Sequence, residues 1–160
     1  MERGIAIIGV GNTAMGDDGI GVYLVEKLRE QLLRGRWKPD CASSLRLVSA
    51  GSDAVLAGAC LAEAPRALLV DAADMNAAPG DFRILGESES RAVRSRSGST
   101  HLLPLGQVLE MIGDLGLDTR FRVMGIQIGE VRAGTGLSPE VMARVPEMLE
   151  KIKEEVSLLP

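Results

Sequence analysis

Three short polar clusters stand in otherwise apolar surroundings and could carry chemistry. The first is GVGNTAMGDDGIGV (residues 9–22), with Asp17 and Asp18 side by side among glycines. The second is LLVDAADM (residues 68–75), where Asp71 closes an apolar run and Asp74 follows in the loop beyond. The third is STHLLPL (residues 99–105), which holds His101, the only histidine of the chain.

Two carboxylates and one imidazole form an O,O,N set suited to nickel, zinc, manganese or iron(II), and three protein ligands leave coordination positions open for a substrate. Asp18, Asp71 and His101 can supply that set if the fold brings them to one rim. Each also has an ordinary role open to it. One of Asp17 and Asp18 can cap the next helix while the other is solvated, Asp71 can cap a turn, and a lone histidine is often a plain surface or core residue. Gly9, Gly11, Gly16, Gly19 and Gly21 tip the first cluster toward a site, because bare backbone lets something bulky approach the carboxylates.

Gly9, Gly11 and Ala14 also satisfy the dinucleotide fingerprint G-x-G-x-x-G/A. Its context is wrong. A pyrophosphate needs a helix that starts within the glycines, whereas the helical period begins only near Ile20. Asp17 and Asp18 would stand beside the phosphates, and no acidic residue closes the second strand to hold a ribose.

The elements that must position these residues alternate. Residues 4–10 read as a strand buried on both faces and central in its sheet, and Leu24, Leu28 and Leu32, widened by Val25 and Leu33, as an amphipathic helix from Ile20. Residues 45–49 read as a strand, residues 53–63 as a helix capped by Ser52 or Asp53, and residues 67–70 as a third strand. After the turn NAAPGD come a strand over 82–85, a loop over 86–100, a helix over 102–115 and a strand over 121–128. Ser138 and Pro139 open a terminal helix. Alternating β and α elements of this length predict a three-layer α/β/α sandwich with a mostly parallel central sheet. Such sheets place ligands outside the carboxyl ends of their strands, where the first two clusters fall and which His101, at the mouth of a helix, could reach.

Composition limits the partners. The chain has 160 residues, 46% of them hydrophobic, which suits one domain over residues 1–160. With 18 Lys plus Arg against 22 Asp plus Glu there is no electrostatic footprint for nucleic acid or an anionic membrane. Cys41 and Cys60 make no C-x-x-C unit, and a reducing cytoplasm suits them. The apolar run at the N-terminus is too short for a signal peptide, and none reaches the roughly 20 residues needed to span a bilayer. The arginines of SESRAVRSRSG (residues 88–98), Arg91, Arg94 and Arg96, read as a solvated stretch or as a clamp for a substrate tail.

The first cluster, VDAADMNAAPGDFRI (residues 70–84), STHLLPL and VMGIQ (residues 123–127) together resemble the hydrogenase maturation endopeptidases, in the same order and at similar separations. The DAADM, THLLPL and GIQ versions look most like the branch that serves the hydrogenase of formate hydrogenlyase and related energy-converting enzymes. The resemblance implies a phosphorylase/hydrolase-like fold and a monomer. It implies an endopeptidase that trims the C-terminal extension from the precursor of a NiFe-hydrogenase large subunit after nickel insertion. Asp18, Asp71 and His101 match the family's metal-contacting positions, with Asp17 an orienting or electrostatic neighbour. The metal is nickel carried by the substrate, and no tightly held cofactor is implied. The family's acidic residue before a double glycine is replaced here by SAGS (residues 49–52), and Ile128 stands where proline is common, which bears on substrate choice. The rival reading is a non-hydrolytic metal- or nucleotide-binding regulatory module of the same fold.

Overall fold

A computed structural model describes residues 4–90, 110, 113–116 and 119–159. Five strands form one sheet: β1 (Ile5–Val10), β2 (Leu45–Gly51), β3 (Arg66–Ala73), β4 (Phe82–Leu85) and β5 (Arg120–Gln127). Their order is β2-β1-β3-β5-β4; β1 pairs in parallel with β2 and β3, β3 in parallel with β5, and β4 antiparallel with β5. Every residue of β1 is buried, as its apolar run requires, and the strand is interior. The middle of the sheet nevertheless belongs to β3.

Alternation along the strands divides the core into two layers. Ile5 and Ile7 of β1, with Leu68 and Val70 of β3, face helix α1 (Ile20–Leu33) and the terminal helix α3 (Pro139–Leu158). Ala6, Ile8, Ala67 and Leu69 face the other way, against Ala57, Cys60 and Leu61 of helix α2 (Ala54–Glu63). The result is the expected three-layer α/β/α arrangement. Each fully buried Ile or Leu adds roughly 1.5–3 kcal/mol.

Caps fall where the sequence puts them. The Asp53 carboxylate accepts from Leu56 N–H and the Ser138 hydroxyl from Val141 N–H, with Pro139 at the first position of α3. The α1 stripe buries Leu24, Val25 and Leu28, but Leu33, the last residue of the helix, is 81% exposed.

Several boundaries differ from expectation: β2 runs two residues past Ser49 to Gly51, and β5 covers 120–127 rather than 121–128. β3 continues three residues beyond Val70, because β5 keeps pairing with it from Asp71↔Gly125 through Ala73↔Gln127. Residues 87–90 are helical where a loop is expected. Glu89 Oε2 accepts from Gly86 N–H, the reach-back half of a capping box. The remainder of that loop, with Arg91, Arg94 and Arg96, and most of the 102–115 helix lie outside the described residues.

The chain runs from β1 to β2 on one side and then crosses to β3 on the other, so the sheet's topological switch point lies between β1 and β3. A crevice at such a point is the usual ligand site of an open α/β sheet. Asp18 follows β1 and Asp71 lies on β3.

Candidate active site

The site is built at the ends of β1 and β3. After β1, a single 3-10 turn (Gly16–Gly19) carries Asp17 and Asp18 into the start of α1. With three residues per turn, neighbouring side chains point about 120° apart, and the two aspartates have different surroundings.

Asp17 is fully buried. Its Oδ2 accepts from Gly129 N–H, Glu130 N–H and Ser138 Oγ–H, each at 2.8 Å, and its Oδ1 from Ser138 N–H at 2.6 Å. Burial opposes its ionisation, but the hydrogen bonds from Glu130, Ser138 and Gly129 outweigh that and hold the carboxyl below its usual pKa. Asp18 is half-buried, and its Oδ2 accepts from Asn12 N–H at 2.9 Å. Neither side chain caps α1. The ordinary alternative of one cap and one solvated carboxylate does not hold: Asp17 fastens a remote loop, and Asp18 puts its charge near Asp71.

Asp71 is 2% exposed, and its Oδ2 has no hydrogen-bond partner among the described residues. Burial raises its pKa well above the ordinary value, the charge of Asp18 raises it further, and a hydrogen bond from the Ala72 backbone opposes both. A buried carboxyl with a bare oxygen and a like charge nearby holds a proton or awaits a cation. Asp71 is not a turn cap, since it lies inside β3.

Gln127, at the end of β5, completes the rim in a role that sequence reasoning missed. Its Oε1 accepts from Met75 N–H at 2.6 Å and Ala77 N–H at 3.2 Å, and its Nε2 donates to Asp74 Oδ1 and the Ile128 carbonyl. One amide thus shapes the loop after β3. A buried polar residue closing an apolar run was the available signal.

The glycines are not open ground. A Cβ on Gly9 would lie 2.5 Å from the Gly21 carbonyl oxygen, one on Gly21 would lie 2.5 Å from that of Val10, and one on Gly11 would strike that of Asp18. The expectation that they admit a bulky partner is overturned, because the protein's own backbone fills the space. Bare backbone here lets α1 and the acidic turn press onto the strand ends.

Among the described residues no group of three His, Cys, Asp or Glu side chains is arranged to hold a metal ion. Asp18 and Asp71 are brought together; His101, the expected third ligand, lies outside the described residues. Both cysteines are free, Cys60 buried and Cys41 partly so.

A profile of the hydrogenase maturation proteases matches residues 22–155. The chain belongs to the hydrogenase maturation protease family. The chain is 29% identical over 150 residues to the hydrogenase 2 maturation protease of Escherichia coli K12, covering 92% of this chain and 87% of that one. It is 28% identical over 149 residues to the hydrogenase 3 maturation protease of the same organism, covering 92% and 80%. The fold is similar to that of the hydrogenase maturating endopeptidase HybD from E. coli, with a TM-score of 0.77 at 26% identity over 93% of this chain and 89% of that one. As a hydrogenase maturation protease the chain is a peptidase, and its α/β fold is that of the family's solved structures. Identities of 29% and 28% do not separate the hydrogenase 2 branch from the hydrogenase 3 branch. No helix of the described residues is long and apolar enough to cross a membrane.

Proposed function

We propose that this protease removes the C-terminal extension of a NiFe-hydrogenase large-subunit precursor only after nickel has been inserted, and that it reads the nickel directly. Asp18, Asp71 and His101 would grip the metal that the substrate carries, and the enzyme needs no cofactor of its own. A reducing cytoplasm and a monomer fit this reading, with two unpaired cysteines.

The bare, buried Oδ2 of Asp71 beside the charge of Asp18 carries the proposal. A carboxyl in that setting ionises at a cost unless a cation arrives to replace its proton. Nickel-loaded precursor supplies the cation and gains the binding energy. Nickel-free precursor would have to bury uncompensated negative charge, so the same two aspartates would select against it. Once the precursor is docked, hydrolysis can use its metal as Lewis acid or a carboxylate as general base for water.

The test is cleavage of purified precursor in nickel-loaded and nickel-free forms, followed by mass spectrometry of the large subunit. Loss of a C-terminal peptide from the loaded form alone is expected. Equal cleavage of both forms would remove nickel reading from the mechanism, and cleavage of neither would mean that the precursor tested is not this protease's substrate.

A further inference from the structure

The turn that presents Asp18 is fastened from behind by the residue before it. All the described partners of the Asp17 carboxylate are N–H or O–H donors, which suits an acceptor-only group. They come from both ends of the 129–138 loop, which links β5 to α3, so one carboxylate closes that loop on itself. The strap also runs back, since Asp17 N–H donates to the Glu130 carbonyl at 2.8 Å. Two further contacts press the loop onto the acidic turn. Gly134 N–H donates to the Ala14 carbonyl at 3.0 Å, and a Cβ on Gly16 would lie 2.6 Å from the Glu130 carbonyl oxygen.

Asp18 is therefore held from two sides: Asn12 N–H holds its carboxylate, and the loop holds its main chain through Asp17. We infer that Asp17 is a positioning residue, whose carboxylate sets the place of Asp18 at the site by welding the 129–138 loop to the Gly16–Gly19 turn. The consequence for processing rests on the reading of Asp18 as a ligand of the substrate's nickel, where a misplacement of about 1 Å can cost on the order of a hundredfold in rate. A residue that only closed the loop would leave the contact between Asn12 and Asp18 as it is.

The amide proton of Asn12 reports that contact by NMR. Asp17→Asn places an amide donor among donors, Ser138→Ala removes one hydroxyl partner in a variant that keeps the carboxylate, and Ser138→Thr restores the hydroxyl. In full-length folded protein, Asp17→Asn and Ser138→Ala are expected to shift the Asn12 amide and speed its exchange with solvent. The same two variants should process nickel-loaded precursor roughly ten- to a hundredfold more slowly in kcat/KM. Ser138→Thr should restore both readouts. An Asn12 amide unchanged in the folded variants would overturn the inference, leaving Asp17 a loop fastener only. Should Asp17→Asn fail to fold, Ser138→Ala and its threonine counterpart decide alone. A shifted amide with processing at the normal rate would uphold the positioning and overturn instead the reading of Asp18 as a site residue.

Discussion

Asp18 places its negative charge within reach of Asp71, whose carboxyl is 2% exposed and already raised in pKa by burial. That approach of like charges costs stability. In the window from the unfolded value of about 3.8 up to the raised folded value, native Asp71 keeps a proton that the unfolded chain has lost. Stability from this group is therefore present below that window and lost as pH rises through it. Asparagine has no such proton to lose. Asp71→Asn should melt above the wild type at neutral pH, by about 2–4 °C for each kcal/mol relieved in a chain of this size. The gain should fade as pH approaches 4, and processing should stop. Calorimetry across pH checks the sign, and a variant less stable at pH 7 would contradict it.

Asp17 should behave in the opposite sense. Its folded pKa is lowered, so its contribution is present above the unfolded value of about 3.8 and lost as pH falls through the folded one. Asp17→Asn should destabilise at neutral pH by about 1–3 kcal/mol, since a buried donor then faces a donor. The acid limb of the stability curve should flatten. Two aspartates 54 positions apart (71 minus 17) thus pull the pH dependence in contrary directions, and urea unfolding at pH 4 and 7 separates them.

Much of this was legible in the sequence for local reasons. The apolar run of β1, the period of α1, the bounds of β4 and the caps at Asp53 and Ser138 need only near neighbours, and all appear in the fold. The rule that open α/β sheets form their crevices at strand ends sufficed to expect Asp18 and Asp71 near one another. What stayed hidden depends on partners far along the chain. An aspartate after apolar residues reads as a strand end, yet β3 continues because β5 is there to pair with it. Asp17 and Asp18 are alike in sequence, and they part only because a 3-10 turn aims one at donors more than a hundred positions away. The glycines looked like access and are packing, since the carbonyls they meet belong to other elements.

His101→Ala should leave folding intact and abolish processing. The reading rests on the family resemblance and on the ring being the chain's only imidazole. A ring whose role is to hold the substrate's metal adds little to stability, so the melting temperature should move by no more than about 0.5 kcal/mol would shift it. The cleavage assay with nickel-loaded precursor is the check. An unchanged rate would leave two carboxylates without their nitrogen partner and count against the whole ligand set.

Gly21→Ala sets two effects of opposite sign against each other. Gly21 lies in the first turn of α1, and helix propensity alone favours alanine over glycine by about 1 kcal/mol. The added Cβ would meet the carbonyl oxygens of Val10 and Val70, at 2.5 Å for Val10 and closer for Val70, and both belong to the backbone of the central strands. As backbone of the paired strands β1 and β3, these carbonyls cannot swing aside as a side chain would, so the cost falls at the upper end of the roughly 1–3 kcal/mol typical of overpacking. The clash should win. Gly21→Ala is expected to lower the melting temperature and, by lifting the start of α1, to displace the turn that carries Asp18, so that processing falls further than stability alone explains. Denaturant unfolding gives the sign directly: a stabilised variant would mean that α1 does not press on the strand ends, and the geometry proposed for the two aspartates would lose its support.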